Sequence, residues 1–179
     1  QWRENNAAGL AGFYRVHGGW EAYQPVGLPG SASLAGMDSD EVASAFRSEL
    51  LDFVDREIAA DLATIQARID SNPRDPRWYN KLGVLYATYG VDDRAVAYFE
   101  DAIERRRDYA PALVNLGNIS YLDGDIFAAL DYYEQAQAVA PEHPDVLLNI
   151  ARANHEIENY GTARRAYAKL QEVSPSLAN

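Results

Sequence analysis

The sequence predicts an all-α solenoid of helix pairs stacked side by side, and two observations carry that prediction. From Tyr79 onward a set of residue types recurs at a fixed interval of 34: Leu82-Gly83 returns as Leu116-Gly117 and Ile150-Ala151, Ala95 as Ala129 and Ala163, and Phe99 as Tyr133 and Tyr167. Before it, Asp38 to Asn72 holds neither glycine nor proline, and its apolar residues recur at steps of three and four, the spacing of one helical face. One helix pair cannot bury its own apolar face, so recurring pairs must stack on their neighbours.

The elements follow in order. Residues 1–37 mix turn formers (Gly18-Gly19, Pro25, Pro29-Gly30) with Trp2, Phe13, Tyr14, Trp20 and Tyr23. Such a density of turn residues breaks regular helix, while the aromatic rings supply burial that disordered segments lack. This irregular segment is expected to pack, either as a strap over the helices or as a partner-binding arm. Residues 38–73 are expected to form a helical packing region over the solenoid's first interface, as one long helix or as two with a break near Glu57 to Asp61. Asp38, Ser39 and Asp40 are its candidate caps, and Asn72-Pro73 its stop. Asp61 and Glu49 stand where the repeat places small residues, so Asp61 to Pro73 reads at most as the second helix of a degenerate fourth unit.

Three units then cover 76–109, 110–143 and 144–177. Gly83 and Gly117 are expected to let the facing helix approach where Ala95 and Ala129 sit, with Phe99, Tyr133 and Tyr167 filling the space between pairs. Gly90, Gly124 and Gly161 are expected to supply the turns inside each pair. Pro141 and Pro175 close the second and third units. Arg107 stands at that place in the first, which predicts a second helix running on toward Ala110 before Pro111 starts the next. Arg105, Arg106 and Arg107 read as cations at a helix C-terminus. Beyond Pro175 no polar capping helix follows, so Tyr167, Leu170 and Val173 are expected to leave an apolar end, open to self-association as a homo-oligomer or to a continuation of the chain. The start at Gln1, without a methionine, reads as a piece of a longer protein.

Composition narrows the partners. With 16 basic against 27 acidic residues the formal charge is −11, a field that repels phosphate backbones and anionic lipid. Nucleic acid and membrane surfaces are therefore not expected partners, and a protein or peptide is. No apolar run approaches the roughly 20 residues of a spanning helix, so a soluble chain is expected. The absence of cysteine excludes a disulfide framework and thiolate metal ligation, and is compatible with any compartment.

No catalytic constellation emerges from residue type and spacing. His17, His143 and His155 form no ligand pair, and His155-Glu156 lacks a second imidazole one turn on. Asp123-Gly124-Asp125 starts like a calcium loop, but no ligand series follows, and it falls at the expected turn of the second pair. Paired carboxylates read as solvated faces in so acidic a chain, and phosphate-cradling glycine patterns are missing. The Asn118-Ile119-Ser120 sequon lies in an expected helix. No cofactor, metal or catalytic residue is predicted, and the chain reads as a non-enzyme.

The opening Tyr79-x-x-Leu82-Gly83-x-x-Tyr86, the 34-residue period and the closing prolines resemble the tetratricopeptide repeat. That resemblance covers 76–179 and implies a right-handed α-α superhelix whose concave groove holds an extended peptide or a partner helix. It further implies a groove lined by the first helix of each unit: Asn80, Lys81, Val84 and Thr88, then Val114, Asn115, Asn118 and Tyr121, then Leu148, Asn149, Arg152 and His155. The asparagines can give and accept hydrogen bonds to a peptide backbone; equally, they can face water or the chain's own N-terminal segment. The basic positions with which some family members clamp a terminal carboxylate are Asn80, Asp145 and Asn149 here, so that clamp is absent. Trp2-Arg3-Glu4-Asn5, Gly12-Phe13-Tyr14 and Trp20-Glu21-Ala22-Tyr23-Gln24-Pro25 resemble the segment after a transglutaminase-like domain in large bacterial proteins of spirochaetal type. That implies a structural docking or spacer appendage of an upstream enzyme, with the groove filled from within.

Overall fold

The computed structural model describes residues 39–178, and every regular element among them is a helix. In chain order these are α1 Ser39–Glu57, α2 Ala59–Ser71, α3 Pro76–Thr88, α4 Asp92–Arg105, α5 Ala110–Leu122, α6 Ile126–Val139, α7 Pro144–Glu156 and α8 Tyr160–Val173. The irregular segment 1–37 and the candidate cap Asp38 lie outside the described residues.

The break expected near Glu57 to Asp61 falls at Ile58 (φ −93°, ψ 2°). Helical bonds still cross it, Ile58 N–H to the Val54 carbonyl at 2.9 Å and Leu62 N–H to the Ile58 carbonyl at 2.8 Å, so the chain bends rather than folding back. The bend turns Val54 and Ile58 into the core beside Tyr79, Leu82 and Tyr86, where both are almost fully buried. Asp55 fixes the seat: it accepts from the Tyr86 hydroxyl at 3.1 Å and from Arg94 at 2.6 Å, and the Arg94 guanidinium lies over the Tyr86 ring. α1 thus covers the open side of the first pair.

Helix starts follow the local sequence. Asp75 caps α3 by accepting the Arg77 backbone N–H, and its carboxylate also holds the Arg77 guanidinium at 2.6–3.0 Å, which keeps the carboxyl below its ordinary range. Asp125 and Asn159 cap α6 and α8 in the same way. Proline sits in the first turn of α3, α5 and α7, where its missing N–H has no intrahelical partner to lose.

Three expectations about the pairs are corrected. The turns of the first two use Gly90 (φ 70°) and Gly124 (φ 85°), but in the third the left-handed position is Glu158 (φ 61°), and Gly161 lies inside α8. The residue 34 after Gly124 is 158, so register rather than residue type places the turn. Gly83 and Gly117 make room for rings, not for the alanines: a Cβ on Gly83 would stand 2.4 Å from the Phe99 ring, and one on Gly117 would stand 2.5 Å from the Tyr133 ring. α4 ends at Arg105 instead of running on toward Ala110. There Tyr109 turns into the core, while Arg105 stands in the last turn of α4 and donates to the Asp101 carbonyl of that turn, with its Nε donating to the Pro73 carbonyl and its guanidinium 3.5 Å from the Tyr79 ring centre.

Adjacent helices pack along the chain, and the first helices α3, α5 and α7 also touch one another in sequence, as stacking of pairs requires. The expected apolar C-terminal end is largely covered. Leu170 is fully buried with Leu147 and Ala178, and Val173 packs on that cluster. Of the three residues expected to be open, only Tyr167 is exposed (39%), and its hydroxyl donates to the Ala178 carbonyl.

Candidate functional site

The residues expected to line a groove are drawn together by direct bonds between neighbouring first helices. Asn115 on α5 donates its amide to Asn80 Oδ1 on α3 at 3.0 Å, and Asn149 on α7 donates to Asn118 Oδ1 on α5 at 2.9 Å. The Tyr133 hydroxyl donates to the same Asn118 oxygen at 2.9 Å, which fills both of its lone pairs. Burial pushes the Tyr133 phenol up to about 12, so it stays a neutral donor at ordinary pH. The asparagines therefore work first as rungs that fix the register of α3, α5 and α7. What remains is the amide N–H pair of Asn80 and of Asn118 and the carbonyl oxygens of Asn115 and Asn149, none of which has a hydrogen-bond partner among the described residues.

The other expected residues divide by position. Lys81 lies over the Trp78 ring at 5.0 Å, Val84 is 44% exposed, and Thr88 bonds back to the Val84 carbonyl of its own helix. Val114 packs against the core of the second and third pairs. Tyr121, Leu148, Arg152 and His155 converge on one concavity of about 620 Å³ at the C-terminal end. Within it the Arg152 guanidinium faces the Tyr121 ring at 5.3 Å, and His155 meets Tyr160 edge-to-face.

That concavity has a second wall missing from the sequence reading: Tyr160, Ala163, Arg164 and Tyr167 of α8. Their spacing of three, four and seven is one helical face, and with Tyr160 half exposed it forms an aromatic and basic stripe. The pattern was visible in the sequence, but the family resemblance directs attention to first helices alone. A smaller hollow of about 460 Å³ collects Arg74, Arg77, Arg105 and Arg106 around Asp75. Three of these charges are already engaged, Arg77 by Asp75, Arg105 by Asp101 and Arg106 by Asp108, so its chemistry is that of a braced loop.

No group of three or more His, Cys, Asp or Glu able to hold a metal ion occurs among the described residues, and no described helix is long and apolar enough to cross a membrane. The arrangement offers hydrogen-bonding amides, aromatic faces and two arginines on a curved helical surface. Those are means of binding.

Comparison with known proteins agrees with this geometry. Tetratricopeptide repeat family models match residues 76–109, 93–137 and 123–178. The mouse (Mus musculus) Protein O-mannosyl-transferase TMTC1 is 27% identical over 116 residues, 63% of this chain and 11% of that protein, so the chain spans about a tenth of its length. The crystal structure of MamA superposes with a TM-score of 0.55 at 17% identity, over 78% of this chain and 76% of that one, a likeness of fold. That of PilW, a widely conserved type IV pilus biogenesis factor, gives 0.37 at 17% identity over 74% and 77%, too distant to carry an argument. These matches lend no support to a transglutaminase-like origin of the first 25 residues.

Proposed function

Because the chain belongs to the tetratricopeptide repeat family through residues 76–178, we propose that it is a non-catalytic protein–protein interaction module. Its three units, 76–109, 110–143 and 144–177, hold a peptide or partner segment along α3, α5 and α7. The observation that carries this reading is the rung pattern. Asn80–Asn115 and Asn118–Asn149 bring the three first helices into one continuous face, and Val84, Arg152 and His155 stand exposed along it. Spare asparagine amides supply backbone recognition without dictating ligand sequence, and micromolar affinity, about 8 kcal/mol, is ordinary for such a surface.

The test is selection of binders from a displayed peptide library, followed by titration against the chain and against Val84→Asp and Arg152→Glu. Neither side chain is buried, so helicity and melting should not change. Loss of affinity by about tenfold, or 1.4 kcal/mol, in at least one variant supports the groove; full retention in both sinks it. A module whose groove is filled by its own residues 1–37, the spacer alternative, would yield no binders until that segment is removed. Self-association through the C-terminal end would appear as binding saturated by the chain itself.

A further inference from the structure

We propose that the N-terminal end of the first-helix face, where Arg68 of α2 and Lys81 of α3 meet on the Trp78 ring, docks an acidic segment of a partner protein, whose side-chain carboxylates take the two cations. This rests on the interaction-module reading and adds the charge of the partner and the end at which it is held.

The repeat register sets this corner apart. Asn115 and Asn149 hold the same place in the second and third units, and each donates to an asparagine of the preceding first helix. In the first unit that place, 34 residues before Asn115, is Lys81. It is exposed, and its ammonium meets no hydrogen-bond or ion-pair acceptor among the described residues. It rests instead 5.0 Å from the centre of the Trp78 ring. The packing beside it differs too. At the later interfaces Ala102 and Ala112, then Ala136 and Val146, are fully buried. At the same two places between α2 and α3 stand Arg68 and Trp78. The indole is half-buried, and the exposed guanidinium lies 5.8 Å from its centre. Where the later interfaces close on small side chains, this one presents a ring with two cations on it and no described carboxylate paired to either.

Charge names the occupant. The chain carries −11, yet α3 and α5 contain no aspartate or glutamate, while α4 carries Asp92, Asp93, Glu100, Asp101 and Glu104. The acids of the first two pairs are thus sorted away from the first helices, and the corner at Trp78 is left cationic. A carboxylate there completes charge-assisted bonds, which are stronger than the amide rungs that follow along the face. An extended segment sets side chains i and i+2 on one side about 7 Å apart, a spacing that suits two cations sharing one ring. Residues 1–37 match this poorly: they hold Arg3 and Arg15 against Glu4 and Glu21, with no two acids at alternate positions. α1 moreover enters at the opposite end of α3, with Arg47 on Asp93 and Asp55 on Arg94 at the start of α4.

The experiment titrates the whole chain, by fluorescence anisotropy at low ionic strength, with a labelled peptide that carries glutamate at alternate positions and with its glutamine counterpart. Both are amidated at the C-terminus, so that only side-chain carboxylates differ. The glutamate peptide should bind saturably and about fivefold more tightly, with the gap closing as salt is added. Arg68→Glu combined with Lys81→Glu should abolish that preference, and Lys81→Arg should keep it. Arg152→Glu, at the other end of the face, should leave it in place. All three side chains are exposed, so melting curves should match the parent. Equal affinities, no saturable binding, or a preference that survives the double charge reversal would overturn the proposal. So would a dimer in sedimentation that excludes the peptide, which would give the corner to a second copy, or binding that appears only after residues 1–37 are cleaved away, which would give it to the chain itself. If library binders respond to Val84→Asp while glutamate confers no advantage, the interaction-module reading stands and only the acidic-segment proposal fails.

Discussion

The second and third helix pairs are laid out on the same 34-residue register, yet their second helices meet different surroundings. In the second, Gly117 leaves space for the Tyr133 ring, α7 covers its other side, and its hydroxyl holds Asn118. In the third, Ala151 fills the place of that glycine, no described helix follows α8, and Tyr167 stands 39% exposed with its hydroxyl on the tail. The same side chain at the same offset is a core ring in one pair and a half-exposed ring beside a concavity in the next. In a solenoid, burial of a position is decided by its neighbouring unit as much as by its own.

The largest expected effect breaks this comparison directly. Tyr133→Ala should cost about 3–5 kcal/mol of unfolding free energy, since it opens a cavity and strips Asn118 of a donor. Tyr167→Ala should cost about 1 kcal/mol or less. Urea denaturation of the two variants checks it, and equal losses would mean that α8 is as firmly packed as α6. Next comes Gly117→Ala. Its methyl group would overlap the Tyr133 ring, so a loss of about 1–3 kcal/mol is expected, although alanine is the better helix former by about 1 kcal/mol. Ala151→Gly in the third pair frees no comparable ring and should lose only that propensity. The smallest effect has the opposite sign: Glu158→Gly relieves a left-handed backbone and should raise stability by about 0.5–1 kcal/mol, read as an upward shift of the thermal midpoint. No gain would mean that Glu158 makes compensating contacts in that turn.

The parts of this molecule legible in its sequence are those fixed by periodicity. The helix pairs and the buried positions of Leu82, Phe99, Leu116 and Tyr133 follow from spacing, because burial recurs whenever the repeat does, whereas the apolar steps through Val54, Ile58 and Leu62 leave one long helix and two equally open. What spacing does not encode is which atom meets which across a helix pair. Size alone pairs Gly83 with Ala95, whereas the structure sets Gly83 against the Phe99 ring. Residue type points to Gly161 for the third turn, while the backbone puts the left-handed residue at Glu158. The end of α4 depended on Tyr109 reaching the core, a tertiary contact that overrides the run of helix-compatible arginines. Side-chain chemistry singles out the asparagines of the first helices but not their pairing with each other, and the α8 wall escapes the sequence because its counterpart in α6 is buried.

The rungs between first helices join only adjacent units, Asn80 to Asn115 and Asn118 to Asn149. Cooperativity in this molecule therefore has a direction. The first pair is clasped from outside by α1 through Asp55, Tyr86 and Arg94, while among the described residues the last is held from one side and closed by a five-residue tail. Opening of the described stack should therefore proceed one pair at a time, with the first pair delayed by that clasp.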